Sequence, residues 1–89
     1  MKVYVVLWED RHTDPDIIVY ANKEEAITYA QNNVKKAMDE GGYEVEEDGE
    51  YGDQELNDTM LQAGWVYYGR YSCEGDCISV LEREVLRGR

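Results

Sequence analysis

One amphipathic helix is predicted in the first half of the chain, and it constrains the fold more than any other feature. Asn22 is a favourable N-cap, and Glu25 follows three residues later as in a capping box. Two glycines, Gly41 and Gly42, end the segment. Apolar residues recur at helical spacing between these signals, at Ala26, Ile27, Ala30, Val34, Ala37 and Met38. Because a helix with one apolar stripe buries it against another element, residues 22–40 predict a partner sheet built from the flanking segments.

Strand-like segments rich in β-branched and aromatic residues lie on both sides of this helix. Strands are predicted at residues 3–9, 17–21, 65–72 and 78–86, with turns at 11–16 and 74–76. A chain of 89 residues can build one modest core. We therefore expect a single α+β domain over residues 1–89, with ββαββ order and a mainly antiparallel four-stranded sheet that carries the helix on one face.

The alternation of side chains along the first two strands predicts an aromatic sheet face. Successive strand residues point to opposite faces, and the helix can cover only one of them. We expect the uncovered face to display Tyr4, Trp8, Ile18 and Tyr20, joined either by Tyr68 or by Tyr67 and Tyr71.

Two interpretations of this aromatic face stay open. In the first, the acidic middle of the chain folds back over the face through Tyr43, Tyr51 and Leu56. In the second, the face is an interface with a second copy of the chain or with another protein, because Tyr and Trp are favoured at the centres of protein contacts.

Residues 39–58 form the most unusual segment, with ten acidic residues in twenty and no Lys or Arg anywhere between Lys36 and Arg70. Charge repulsion and glycines predict a long, partly ordered acidic loop that regains a helical turn at residues 58–62. Long loops in small domains are often functional. The predicted partner-binding residues are the carboxylates Glu44, Glu46, Glu47, Asp48, Glu50, Asp53 and Glu55, together with the aromatic residues Tyr4, Trp8 and Tyr20.

The net charge of −11, from twenty acidic and nine basic residues, restricts the partners. It disfavours direct contact with nucleic acid or an anionic membrane, and it favours a protein partner with a basic surface. No apolar run approaches the roughly 20 residues that span a bilayer. Glu9 and Asp10 end the short apolar stretch at the N-terminus, which is untypical of a signal peptide, so we expect a cytoplasmic protein.

Cys73 and Cys77 flank a predicted hairpin turn, and their pairing depends on the length of that turn. A three-residue loop would place the two thiols opposite each other, where a disulfide can form. A turn made by Gly75 and Asp76 alone would instead place Cys73 opposite Ile78. The favoured interpretation is a pair of small buried or half-buried thiols beside a turn in which Gly75 takes a positive φ. A metal site is disfavoured because the chain has no second Cys/His pair to complete four ligands.

Catalytic motifs are absent from the sequence. His12 lies in a turn near Asp10, Asp14 and Asp16, where a solvated loop residue is favoured over a general base or a metal ligand. The chain has no GxGxxG, no Walker lysine motif, no GxSxG and no complete calcium-loop pattern. We therefore predict no catalytic residue, no metal and no cofactor, and a protein that is not an enzyme.

Three stretches carry a resemblance to known proteins: "KVYVVLW", "NKEEAITYA" and "GWVYYGRYSCEGDCISVLEREV". They look like small uncharacterised proteins of phages and mobile elements. In size and charge the chain is also similar to phage counter-defence proteins, including anti-CRISPR and DNA-mimic inhibitors. We therefore expect a non-enzymatic acidic protein-binding module, an inhibitor or adaptor that offers carboxylates to the basic, nucleic-acid-binding surface of a partner protein. Two alternatives stay open: a metal or thiol site using Cys73, Cys77 and His12, or a housekeeping domain from a high-salt organism.

Overall fold

The computed structural model describes residues 1–42, 51–72 and 75–86. Over these residues the chain forms five strands and two helices: β1 (Lys2–Glu9), β2 (Asp16–Tyr20), α1 (Lys23–Gly41), β3 (Gly52–Asp53), α2 (Asp58–Gln62), β4 (Trp65–Arg70) and β5 (Cys77–Glu84). The strands make one antiparallel sheet in the order β2-β1-β5-β4-β3. The predicted α+β class is confirmed, with one main helix.

The long helix has the predicted limits and the predicted buried face. The side chain of Asn22 accepts a hydrogen bond from the Glu25 backbone N–H at 3.0 Å, and Gly42 ends the helix in the left-handed conformation. The stripe side chains Ala26, Ala30, Val34 and Met38 are buried, and Ile27 and Ala37 pack at its margin. The helical turn predicted at residues 58–62 is also confirmed, as α2.

A short strand inside the acidic segment corrects the predicted four-stranded sheet. In β3, Gly52 pairs with Arg70 and Asp53 pairs with Gly69 on β4. Tyr51, just before β3, is buried in the core, and this apolar anchor explains why the segment is ordered here despite its charge. The predicted loop at 39–58 is therefore too long, because α1 extends to Gly41 and the strand begins at Gly52. Residues 43–50 lie outside the described residues.

The helix covers the aromatic face of the sheet, so the prediction that this face is uncovered is wrong. Tyr4, Trp8, Ile18 and Tyr20 all pack against the core cluster beneath α1. Tyr67 and Tyr71 are buried on the same side.

The opposite face of the sheet is aliphatic on β1, β2 and β5 and aromatic on β4, and we call it the open face. The strand register places Leu7 of β1 opposite Ser79 of β5, and Val5 opposite Leu81. On the other side of β5, Tyr68 of β4 lies opposite Ser79 and Trp65 lies opposite Leu81. The open face consists of Val3, Val5 and Leu7 of β1, Ile17 and Val19 of β2, Trp65 and Tyr68 of β4, and Leu81 of β5. Tyr68 therefore lies on the open face, and the tyrosines that join Tyr4, Trp8, Ile18 and Tyr20 on the helix side are Tyr67 and Tyr71.

Ser79 lies between Leu7 and Tyr68 in the middle of the sheet and is fully buried. Its hydroxyl has no hydrogen-bond partner in the described part of the chain. Because an unsatisfied buried polar group is costly, Ser79→Ala should stabilise the domain by about 1 kcal/mol. Thermal denaturation followed by circular dichroism should show a melting temperature higher by roughly 4–8 °C.

Ser72→Ala is the matched control for this prediction. The Ser72 hydroxyl donates a 2.7 Å hydrogen bond to Asp76 Oδ2, so the same substitution should lower the melting temperature there. Equal destabilisation by both variants would contradict the assignment of an unsatisfied hydroxyl to Ser79.

Candidate functional site

The two hairpin turns at one end of the sheet lie side by side. β1 and β5 are paired along their whole length, with Glu9 opposite Cys77, so the turn after β1 reaches the turn before β5. Asp76 joins them: Oδ1 accepts a 2.8 Å hydrogen bond from the Arg11 backbone N–H, and Oδ2 accepts one from the Ser72 hydroxyl. Asp76 is itself buried, so this end of the sheet is held by a satisfied buried carboxylate.

A second hydrogen-bond chain runs through Trp8, Tyr71 and Asp10. The indole Nε1–H of Trp8 donates to the Tyr71 hydroxyl at 2.8 Å, and that hydroxyl donates to Asp10 Oδ2 at 2.7 Å. The rings of Trp8 and Tyr71 meet edge to face with centroids 6.4 Å apart. The hydrogen bond from Tyr71 and the backbone N–H of His12 lower the pKa of Asp10. Burial, reinforced by the hydrogen bond to Asp10, raises the pKa of Tyr71. Asp10 is therefore held as a charged, oriented carboxylate.

A cleft of about 260 Å³ opens beside this chain. Its lining residues are Trp8, Asp10, Thr13, Asp14 and Asp16. Ligand pockets usually measure about 300–1,000 Å³, so the cleft has room for one side chain rather than for a large small-molecule ligand. Carboxylates beside an indole attract cations, through charge-assisted hydrogen bonds and through the face of the ring. The arrangement is chemically suited to a lysine ammonium or an arginine guanidinium.

Trp8 is the predicted site residue that lines this cleft. Among the other predicted aromatic residues, Tyr4 donates a 3.2 Å hydrogen bond to Glu82 and Tyr20 packs against Tyr29, with ring centroids 5.7 Å apart. Both lie on the helix side of the sheet and away from the cleft lining. The structure therefore does not bring the three predicted aromatic residues together into one exposed patch.

Among the predicted carboxylates, Asp53 has a structural environment. Its Oδ1 accepts from the Tyr67 hydroxyl at 2.7 Å, and its Oδ2 accepts from Gln31 on α1 at 3.1 Å. Burial, together with this hydrogen bond, raises the pKa of Tyr67. Glu55 is exposed. The remaining predicted carboxylates, Glu44, Glu46, Glu47, Asp48 and Glu50, lie outside the described residues.

The sequence-based prediction missed the acidic residues of the first turn. Asp10, Asp14 and Asp16 were considered as neighbours of His12 and were not predicted to form a site of their own. The available signal was three carboxylates within seven residues, immediately after an aromatic strand residue. Within the described residues, no group of three or more His, Cys, Asp or Glu side chains is placed to hold a metal ion.

Cys77 carries a free, buried thiol whose partner across the hairpin is Arg70. Neither predicted turn length is correct, because Tyr71 already pairs with Asp76 and the turn begins at Ser72. Gly75 has the predicted positive φ, at 87°. Burial raises the pKa of the Cys77 thiol, with further contributions from the Glu9 and Asp76 carboxylates, and a protonated thiol is a weak nucleophile. Cys73 lies outside the described residues.

No family model matches this chain, and searches of curated proteins and of solved structures found no match. Among the described helices, none is long and apolar enough to cross a membrane.

Proposed function

We propose that this chain is a non-enzymatic, acidic protein-binding module that takes a basic side chain of a partner protein into the cleft beside Trp8. The observation that carries the proposal is the cleft itself, where three carboxylates and an indole enclose room for one side chain. A lysine or arginine entering it would meet charge on one side and an aromatic ring on the other.

The preset geometry of Trp8 and Asp10 supports this assignment. Tyr71 holds both side chains, so neither has to be ordered when a partner binds. Since immobilising a free side chain on binding costs about 0.5–1.5 kcal/mol, a site fixed in advance binds more tightly. Asp14 is exposed at the mouth of the turn, where a partner can reach it.

The overall charge supports a basic partner. A net charge of −11 on a chain of this size produces a long-range field that steers a positively charged surface toward it. Residues 43–50 contain five of the predicted partner-binding carboxylates and no basic residue. A partner surface that normally holds nucleic-acid phosphates has the matching chemistry, so the proposed class is a phage-type inhibitor of the DNA-mimic or anti-CRISPR kind, acting in a cytoplasm.

The test is a titration with a short arginine- and lysine-rich peptide, followed by the Trp8 indole Nε1–H signal in nuclear magnetic resonance spectra. We expect this signal to shift on binding, and we expect the affinity to fall as NaCl rises from about 50 to about 500 mM. Asp14→Asn with Asp16→Asn should weaken binding by roughly tenfold, the equivalent of about 1.4 kcal/mol.

The matched control removes two exposed carboxylates elsewhere, by Asp39→Asn with Glu40→Gln near the end of α1. Both double variants change the net charge equally, so the control reports the general electrostatic contribution. If the control weakens binding as much as the cleft variant, or if the Trp8 signal does not move, the cleft is not the binding site.

A further inference from the structure

The open face presents apolar side chains to solvent on the side of the sheet that α1 does not cover. Ile17 and Val19 on β2 are 62% and 58% exposed. Val5, Leu7 and Leu81, nearer the centre of the sheet, are partly exposed. Contiguous apolar surface of this kind usually marks a contact site.

The open face also differs from the rest of the molecule in charge. The chain has twenty acidic residues, yet Glu9 is the one carboxylate that the described strands direct to this side. Arg83 lies at the opposite end of the face, across from Val3, and Arg70 lies across from Cys77. A surface almost free of carboxylates on so acidic a chain is poorly suited to a basic partner and suited to one of low charge.

We propose that the open face is the contact between two copies of this chain. A second copy supplies an apolar surface of the same size and low charge, and aligned sheets pack in this way through interdigitating aliphatic side chains. Most homodimers have two-fold symmetry, so the same patch is used on both copies.

The positions of the charges select the direction of the two-fold axis. Glu9 of β1 and Arg70 of β4 lie at the same level, on either side of Cys77 of β5. An axis parallel to the strands over β5 exchanges β1 with β4, so it places Glu9 of one copy over Arg70 of the other, twice. It also brings the two Arg83 residues together at the far end, where each guanidinium already donates to the Ala63 carbonyl oxygen at 2.8 Å. An axis perpendicular to the strands would place Arg83 of one copy between Glu9 and Arg70 of the other, where attraction and repulsion offset each other, so we assign the parallel axis.

The area of the face sets the expected affinity. With strands about 4.8 Å apart and about 3.3 Å per residue, the sheet offers roughly 500 Å² per copy. Specific interfaces bury about 800 Å² per partner, so the dimer is small and should be weak. We expect a Kd in the micromolar range or above.

Salt should strengthen this dimer. Each copy carries a net charge of −11, and raising NaCl from about 50 to about 500 mM screens the repulsion between copies. Sedimentation velocity at protein concentrations up to about 1 mM should therefore show more dimer at high salt. This is opposite to the salt dependence of the peptide titration, so either proposal can fail while the other holds. A protein that stays monomeric throughout, or that forms species larger than a dimer, overturns the proposal.

Val19→Lys tests the surface. It places a charge in the apolar contact, so it should weaken dimerisation by roughly tenfold or more even though it reduces the net negative charge. Thr28→Lys is the matched control, because it makes the same charge change at an exposed position on α1. We expect Thr28→Lys to leave dimerisation unchanged or slightly stronger. Equal effects of the two variants would show that the contact lies elsewhere.

Exchanging the charges tests the axis. Glu9→Arg and Arg70→Glu should each weaken the dimer, because each places two like charges together. The double variant restores opposite charges and keeps the wild-type net charge, so its Kd should return toward the wild-type value. Thermal denaturation of all three variants separates folding defects from loss of contact. A double variant that is as weak as the worse single variant, while folded, would overturn the assigned arrangement.

Discussion

Val34→Asp is expected to unfold the domain. Val34 is 2% exposed, lies in the middle of α1 and belongs to the core cluster beneath the helix. A carboxylate at this position would be buried among apolar side chains, at a cost of several kcal/mol. Domains of this size have a total stability of about 5–15 kcal/mol, so the loss should be close to complete. Far-ultraviolet circular dichroism and a thermal melt measure the result.

The control for this variant is Asn32→Asp, which makes the same change in net charge on the exposed side of the same helix. It should leave the melting temperature within a few degrees of wild type, because exposed substitutions usually change stability by less than about 0.5 kcal/mol. Cooperative unfolding of Val34→Asp at the wild-type temperature would show that α1 does not bury this face.

Gly69→Ala is the second substitution with a large expected effect. A Cβ atom at position 69 would lie 2.8 Å from Val34 Cγ2 and closer still to the Tyr67 hydroxyl. The hydroxyl cannot swing away freely, since it donates a 2.7 Å hydrogen bond to Asp53. Overpacking of this kind typically costs about 1–3 kcal/mol. Urea denaturation should show a lower midpoint with an unchanged slope.

Tyr67→Phe tests whether the hydroxyl causes the clash. Alone it removes the hydrogen bond to Asp53 and should be mildly destabilising. Combined with Gly69→Ala it makes room for the new methyl group, so the double variant should be more stable than the sum of the two effects by about 1 kcal/mol. Strict additivity would place the clash elsewhere, at Val34 or in the backbone.

The elements that sequence predicted well are the local ones. The N-cap at Asn22, the stop at Gly42 and the spacing of the α1 stripe all act within a few residues, so they can be read without knowledge of the fold. The positive φ of Gly75 is local in the same sense. The length of the turn that contains Gly75 does not depend on local sequence alone. Tyr71 pairs with Asp76, and contacts with the first hairpin turn fix the position of that pair.

The faces of the sheet could be predicted only in part. Alternation correctly groups Tyr4, Trp8 and Tyr20 on one side, but the period of a strand says nothing about which side the helix will cover. β3 was beyond prediction, because a two-residue strand depends on its partner Arg70–Gly69 rather than on its own sequence.

The candidate cleft depends on the same long-range information. Asp14 and Asp16 are close to Trp8 in sequence, so their grouping could have been proposed. The fixed orientation of Trp8 and Asp10 could not have been predicted in this way. Both side chains are hydrogen-bonded to Tyr71, which lies 63 residues from Trp8 and 61 residues from Asp10 along the chain. That contact exists because β1 and β5 pair, and no local pattern shows this pairing.

The central position of β5 also governs how the chain can fold as it is made. β1 is synthesised long before its neighbour β5, and contacts such as that between Tyr4 and Glu82 join residues 78 positions apart. Until β5 leaves the ribosome, the strands on either side of it have no common partner. Folding dominated by such distant contacts is slow for its size. We expect residues 1–76 of the nascent chain to stay open to chaperones and proteases until β5 is available, and the domain then to fold in one cooperative step.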